Sequence, residues 1–166
     1  MKRVLQAAFL ILALAAIAQG LWQYSRLPER VAAHFDFSGH ANGWMTRGTF
    51  LGWQVGTLLF LTVLFEGIAL LQSRLPADLI NIPHRDYWLA PERRAATDAW
   101  ISSLVLLPGC LLMIFFMALF HLVYRTNVDG TRMLTPNPGW LAAALILAVI
   151  AMVAVTFARF ARNPAA

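Results

Sequence analysis

Four long stretches of apolar residues divide the chain of 166 residues. They predict helices over residues 4–24, 49–72, 99–124 and 139–160, and each stretch approaches or exceeds the roughly 20 residues that a helix needs to cross a bilayer. The ionisable side chains that interrupt them are Glu66, His121 and Arg159. The pattern predicts an all-α integral membrane protein. A single domain over residues 1–166 would form a four-helix bundle that runs up, down, up and down.

Composition and charge agree with a membrane protein. The chain is 60% hydrophobic and 13% charged, whereas a soluble domain is about half apolar and about a quarter charged. The net charge of +5 is scattered over helix ends and forms no basic patch interleaved with aromatic residues, which argues against a nucleic-acid partner. The expected partners are the lipid bilayer and, in addition, another protein or a second copy of this chain.

The distribution of Lys and Arg predicts how the helices are oriented. Eight of the 13 basic residues lie at the two chain ends and in the connection 73–98, and the other five lie in or beside the first and third connections. The positive-inside rule then places both termini and the loop 73–98 in the cytoplasm, and the loop 25–48 outside.

The outer loop 25–48 is long for a connection between bundle helices, and loops of this length are usually functional or disordered. Phe35, Phe37 and Trp44 are too apolar for a free loop and argue against disorder. Ser38-Gly39 and Asn42-Gly43 are turn signals within it. We expect a folded extracytoplasmic loop that lies back on the bundle.

Three residues of this loop are candidate metal ligands, because imidazole and carboxylate groups bind zinc and similar ions. They are His34, Asp36 and His40. Two interpretations stay open: a structural loop with hydrogen-bonding histidines, and a metal site, which would be the protein's one cofactor site. The sequence contains no zinc-protease motif, no paired cysteines, no phosphate-binding glycine loop and no serine-nucleophile motif. We therefore assign no catalytic residue, and the sequence favours a function other than catalysis.

Helix polarity predicts which polar side chains share a depth in the membrane. Gln19, Gln54 and His121 fall near the outer ends of three different helices, and buried amides and imidazoles need partners in lipid. We expect these three to form a pocket for a ligand or partner beneath the outer loop, with His34, Asp36, His40 and Trp44 as its roof. The alternative is an interhelical hydrogen-bond cluster that fixes helix packing.

Glu66 lies nearer the inner end of the second helix, about 9 Å into the membrane at 1.5 Å per residue. An ionisable residue within a span is costly and is a functional-site hypothesis by default. We expect its partners to be Ser102, Ser103 or Arg159; the alternative is a carboxyl group that reaches the inner interface by itself.

Gly48, Gly52 and Gly56 repeat every four residues at the start of the second helix. This spacing favours close packing of helices in lipid. The repeat therefore predicts a tight helix contact on that face, although glycine is common in such helices.

Two strings of residues resemble a known family. They are LPERVAAHFDFSGHANGW in the first loop and NIPHRDYWLAPERR in the connection 73–98. Both resemble a bacterial membrane family of unknown function, a domain that also forms the N-terminal part of SdpI-type immunity and signalling proteins. The resemblance covers roughly the first hundred residues. It implies a multi-pass protein of the bacterial cytoplasmic membrane and implies no catalytic residues.

The predicted function is recognition of a partner or ligand at the outer face, in an immunity-like or signalling-like role. A second hypothesis is an accessory subunit of a larger membrane enzyme or transporter. A third is a metal-dependent membrane enzyme that uses the outer histidines.

Overall fold

The computed structural model describes residues 2–72 and 74–162. Its elements, in chain order, are α1 (Lys2–Tyr24), β1 (Arg30–Phe35), β2 (Ala41–Thr46), α2 (Arg47–Gln72), α3 (Arg85–Trp88), α4 (Pro91–Val128) and α5 (Gly139–Ala161). Four of these helices, α1, α2, α4 and α5, are long and apolar enough to cross a membrane. This confirms a predominantly helical chain with four candidate spans. Residues 1, 73 and 163–166, which the predicted domain included, lie outside the described residues.

Helices α1, α2 and α4 share the main apolar core. Phe9, Leu58, Leu106 and Met113 are fully buried between them. A close approach is possible at Gly109 of α4, where an added Cβ would lie 3.0 Å from Phe9 and Phe65. In lipid, helices associate largely through such van der Waals packing and through small residues, so these contacts define the three-helix core.

Helix α5 lies at the side of this core and packs mainly on α4. Phe160 is its one buried residue among those described. The sequence predicted a four-helix bundle; the structure has four candidate spans, and α5 contributes least to their common core. The physical reason is that α5 is apolar all round, and lipid tails are as apolar as leucine, so nothing drives one of its faces into the protein.

Helix α4 is longer than the apolar stretch 99–124 that predicted it. It has 38 residues, about 57 Å at 1.5 Å per residue, whereas a bilayer core is about 30 Å thick. It begins at Pro91, inside the predicted loop 73–98, because proline fits the first helical position. Arg94 and Asp98 then pair at 2.9 Å on neighbouring turns, which supports a helix outside the lipid. The shortened connection contains a 3-10 turn (Ala77–Leu79) and α3.

The loop 25–48 contains a β-hairpin, which an all-α fold class omitted. Strands β1 and β2 pair antiparallel. Asp36 closes the turn, because its Oδ1 accepts hydrogen bonds from the N–H groups of Ser38 and His40, both at 2.9 Å. Gly39 has φ +86°, a conformation that glycine adopts without steric cost. Ser38-Gly39 therefore belongs to the turn, as predicted.

The second turn signal, Asn42-Gly43, lies within β2 instead. The strand register shifts at His34, opposite Gly43. A Cβ on Gly43 would lie 2.9 Å from the Cβ of His34. Gly43 thus allows the two strands to come close together where their register shifts, which is a common use of glycine in strands.

Polar contacts show which helix ends lie together. The Nζ of Lys2 donates to the carbonyl of Ala69 at 3.4 Å, which places the start of α1 beside the end of α2. Gln72 Nε2 donates to Ser102 Oγ at 2.7 Å, which joins the end of α2 to the first half of α4. The ends of α1 and α4 lie together near the hairpin.

Candidate functional site

The hairpin is fixed to the end of α4 by one side chain. Asn127 Oδ1 accepts a hydrogen bond from the backbone N–H of Ala32 at 2.7 Å, and Asn127 Nδ2 donates to the carbonyl of Ala32 at 2.9 Å. The carboxamide therefore pairs with the outward-facing N–H and C=O groups of Ala32 in β1, as the backbone of a third strand would. Unpaired edge groups that are buried are costly, so this contact sets where the hairpin stands.

A second, smaller apolar core holds the hairpin from below. It consists of Leu27, Val31, Phe50, Val123, Tyr124 and Leu134. The connection between α4 and α5 also joins the hairpin, since Leu134 N–H donates to the Gly39 carbonyl at 2.8 Å. The hairpin is therefore a docked part of the fold, with contacts to α2, α4 and the connection that follows α4.

Between the hairpin and the end of α4 opens a cleft of about 520 Å³, which we call the basic cleft. Its walls come from the segment before β1, both strands, the last turns of α4 and the following connection. The lining residues are Pro28, Arg30, Ala32, Trp44, Thr126, Asn127, Gly130 and Arg132. This volume lies in the usual range of small-molecule sites, about 300–1,000 Å³.

The electrostatics of the basic cleft are set by two arginines. Within the described residues, Arg30 and Arg132 form no ion pair and their guanidinium groups make no hydrogen bond; Arg30 lies 5.9 Å from the ring centroid of Trp44. The neighbouring carboxylate of Asp129 is already paired with Arg125 at 3.3 Å. Two unpaired guanidinium groups beside an aromatic ring can bind a carboxylate or phosphate group, because their planar donors match those oxygens.

Arg132 is held in an unusual backbone conformation. Its φ is +52°, in the left-handed region that residues with a Cβ seldom adopt. Its carbonyl accepts a hydrogen bond from Ala41 N–H at 2.9 Å, so the start of β2 holds it in place. Strained residues of this kind cluster at ligand sites, which makes Arg132 a candidate site residue.

The sequence did not single out Arg30, Arg132 or Asn127 as site residues. Trp44 was predicted, and it lines the basic cleft with 44% of its surface exposed. In the sequence, Arg30 and Arg132 were informative only as positive charges that predict the orientation of the helices. Their proximity depends on the hairpin folding back over α4, and no local sequence pattern encodes it.

The predicted metal ligands do not converge. His34 Nδ1 donates to Asn42 Oδ1 at 2.6 Å. Asp36 Oδ1 closes the turn and lies 3.9 Å from His40 Nδ1. In the part of the chain that the structure describes, no group of three His, Cys, Asp or Glu residues could hold a metal ion. His34 thus forms a hydrogen bond within the loop, as the structural alternative expected, whereas the His40 ring has none among the described residues.

The polar layer predicted beneath the hairpin contains different pairs from those expected. His121 meets Gln23, whose Nε2 lies 3.1 Å from His121 Nδ1; an amide nitrogen only donates, so the imidazole nitrogen accepts. Gln19 Nε2 donates to the Met117 carbonyl at 3.0 Å, one turn along the same two helices. These amides link α1 to α4.

Gln54 reaches this layer from α2. It is 2% exposed, and a Cβ added to Gly20 would lie 2.9 Å from its Oε1. The layer therefore fixes helix packing. Gln19, Gln54 and His121 line none of four well-formed clefts among the described residues.

Glu66 has a partner on α1. Gln6 Nε2 donates to Glu66 Oε2 at 3.0 Å, and Glu66 Oε1 is buried without a hydrogen bond. The expected partners lie elsewhere: Ser102 binds Gln72, and the guanidinium of Arg159 lies 4.2 Å from the ring centroid of Trp100. Ser103 Oγ donates to the carbonyl of Ala99 at 2.8 Å on its own helix. The predicted partner set for Glu66 was wrong: α5, which carries Arg159, packs mainly on α4, and the hydroxyl groups of both serines pair elsewhere.

These features place the chain in the class of multi-pass helical membrane proteins, with a small β-hairpin docked at one end of its helices. A family model described as a domain of unknown function (DUF1648) matches residues 10–65. The segment spans most of α1, the hairpin and α2 as far as Phe65, and the predicted resemblance to a family of unknown function is confirmed there. No curated protein and no solved structure matches the chain.

The matched segment supplies only part of the basic cleft. Arg30 and Trp44 lie within it, whereas Asn127 and Arg132 lie outside. The string in the connection before α4, which also suggested the family, is outside the matched residues as well.

Proposed function

We propose that this protein recognises a ligand or partner bearing an anionic group in the basic cleft, in an immunity-like or signalling-like role. The observation that carries the proposal is the pair of unpaired arginines, Arg30 and Arg132, in a cleft beside Trp44. A cleft of this size with charged groups of one sign and a stacking surface favours binding over catalysis, since no acid–base pair accompanies them among the described lining residues.

The proposal includes a topology. The four spanning helices run up, down, up and down across the bacterial cytoplasmic membrane, with both termini and the connection 73–98 in the cytoplasm and the hairpin outside. Two observations support it: the excess of Lys and Arg at the termini and in that connection, and the neighbouring ends of successive helices, such as Lys2 beside Ala69.

Labelling of single cysteines tests this topology. In a Cys110→Ser background, Ser38→Cys or Ala95→Cys is exposed to a membrane-impermeant thiol reagent in intact cells. We expect labelling of Ser38→Cys alone, with Ala95→Cys labelled only after the cells are opened. Labelling of Ala95→Cys in intact cells would show that the topology is the opposite of the proposed one.

Site-specific photo-crosslinking tests recognition in the basic cleft. A photoreactive phenylalanine analogue replaces Trp44, and the matched control replaces Trp53 of α2, which is exposed on the apolar helix surface. We expect a discrete adduct from position 44 that is lost in Arg30→Gln and in Arg132→Gln, while position 53 gives no adduct with this dependence. An adduct at position 44 that survives both substitutions would refute a role for the arginines.

A second candidate function is an accessory subunit of a larger membrane complex. It is favoured by α5, which exposes nearly its whole apolar surface to whatever surrounds the chain. A subunit would purify in mild detergent with partner chains in a fixed ratio, and mixing of tagged and untagged copies would reveal a homo-oligomer. No three metal ligands converge in the described residues, which argues against a metal-dependent enzyme.

A further inference from the structure

A groove runs along the last part of α5, towards the end of the helices opposite the basic cleft. It has a volume of about 640 Å³ and lies between the start of α1, the first half of α4 and the last part of α5. Its walls are almost wholly apolar and include Val4, Leu5, Leu104, Leu107, Met152 and Val155. We call it the α5 groove. In a bilayer such an apolar groove is a surface for acyl chains.

One end of the α5 groove carries a positive charge. Trp100 lines the groove, and the guanidinium of Arg159 lies 4.2 Å from the centroid of its ring and 5.5 Å from that of Trp88. Within the described residues, Arg159 has no ion pair and its guanidinium makes no hydrogen bond. The cation is thus fixed in position by two aromatic faces while its charge remains uncompensated.

Two buried donors at the same place lack acceptors. They are Nε of Arg159 and the indole N–H of Trp100. Buried polar groups without partners are rare in native structures and call for an explanation. Neither atom is accessible to a ligand, so a phosphate group would bind instead to the terminal N–H groups of the half-buried Arg159.

The position of Arg159 fits a lipid headgroup. It lies two residues before the end of α5 at Ala161, where a spanning helix leaves the hydrocarbon. From Trp100 the groove follows α4 to Leu107, a rise of about 10 Å at 1.5 Å per residue. A charge at the interface and an apolar channel leading inward match the two parts of a phospholipid.

We infer that the α5 groove binds one anionic phospholipid, with its phosphate at Arg159 and an acyl chain along Leu104, Leu107 and Met152. This site is independent of the basic cleft and of the function proposed for it. The lipid completes the contact between α5 and the three-helix core, which the protein's own side chains leave open.

Native mass spectrometry of the full chain in mild detergent tests the site. The probes are dioleoyl phosphatidylglycerol, which is anionic, and dioleoyl phosphatidylcholine, which has the same chains and no net charge. We expect one phosphatidylglycerol to bind about fivefold more tightly than phosphatidylcholine, the preference that a single cation at the interface provides. Arg159→Gln should abolish this preference and Arg159→Lys should retain it, while Arg162→Gln, an exposed control beyond the helix, should leave it unchanged.

A second pair of variants tests the apolar part of the site. Ala151→Phe fills the groove, and Ala154→Phe adds the same ring on a face of α5 that does not line it. We expect Ala151→Phe to remove the bound lipid of either kind and Ala154→Phe to retain it. This pair tests whether lipid occupies the α5 groove even if Arg159→Gln fails to fold.

Three outcomes would overturn the inference. The first is equal binding of the two lipids by the unaltered protein. The second is a lipid stoichiometry that Ala151→Phe leaves unchanged. The third is displacement of phosphatidylglycerol by an equal concentration of inorganic phosphate, which would make the site one for a free anion.

Discussion

The side chain of Asn127 pairs with both backbone groups of Ala32, at 2.7 and 2.9 Å. Asn127 Nδ2 also lies 2.9 Å from the carbonyl of Val123 on its own helix. One residue near the end of α4 therefore helps to set the distance between the helix and the hairpin, together with the second apolar core, and with it the width of the basic cleft.

Replacing Asn127 should release the hairpin from α4. Asn127→Ala leaves the N–H and carbonyl of Ala32 without their partner, at a cost of about 1–3 kcal/mol. We expect faster hydrogen exchange at Ala32 and faster proteolysis within residues 30–46. Asn42→Ala serves as the control, because Asn42 is exposed and, among the described residues, its side chain hydrogen-bonds only to His34 within the hairpin. Unchanged exchange in Asn127→Ala would show that the second apolar core alone holds the hairpin.

Arg132 should show opposite effects on stability and binding. Arg132→Gly relieves the left-handed backbone at φ +52° and should raise the free energy of unfolding by about 0.5–1 kcal/mol. It should also reduce crosslinking from position 44. Arg30→Gly is the matched control: it removes the same charge from a regular strand, where glycine is destabilising. Both variants should lose the adduct, while only Arg132→Gly melts at a higher temperature; a lower melting temperature for Arg132→Gly would contradict this account.

The contact between Gly20 and Gln54 predicts an effect specific to one glycine. Gly20→Ala places a Cβ 2.9 Å from Gln54 Oε1, and overpacking of this kind costs about 1–3 kcal/mol. Gly52→Ala should be neutral or slightly stabilising, because nothing lies within 4 Å of its added Cβ. Unfolding of the purified protein in a denaturing detergent measures both. The double variant Gly20→Ala/Gln54→Ala should be less destabilised than the sum of its single variants; simple additivity would mean that the two side chains do not meet.

Glu66 should tolerate loss of its charge better than loss of its hydrogen bond. Glu66→Gln retains an acceptor for Gln6, whereas Glu66→Leu leaves the Gln6 amide without it. We expect Glu66→Leu to be the more destabilising by about 1 kcal/mol or more, measured in the same unfolding assay. Gln6→Leu/Glu66→Leu, which removes both partners, should recover part of the loss. Equal stability of the Gln and Leu variants would show that the pair contributes nothing.

Some features of the fold were readable from local sequence because they depend only on composition over short distances. Runs of about 20 apolar residues predict spans wherever they occur. Ser38-Gly39 predicts a turn because glycine accepts a positive φ. The glycine repeat of α2 shows the limit of such reasoning: Gly52 and Gly56 face open space, while Gly20 and Gly109 lie at the close contacts. Whether a glycine allows a close helix contact depends on which helix lies opposite it. The residues that flank the glycine in the sequence do not specify that helix.

The candidate sites show the same division. The sequence by itself determined four apolar spans, a folded first loop, and polar residues grouped by depth, since helical rise converts position into depth. Only the tertiary structure decided that His121 meets Gln23, that Glu66 meets Gln6, and that Arg30 and Arg132 share a cleft. Each pairing depends on the rotation of helices about their axes and on the docking of the hairpin. Those are set by the sum of many weak packing contacts between distant segments, which no single segment contains.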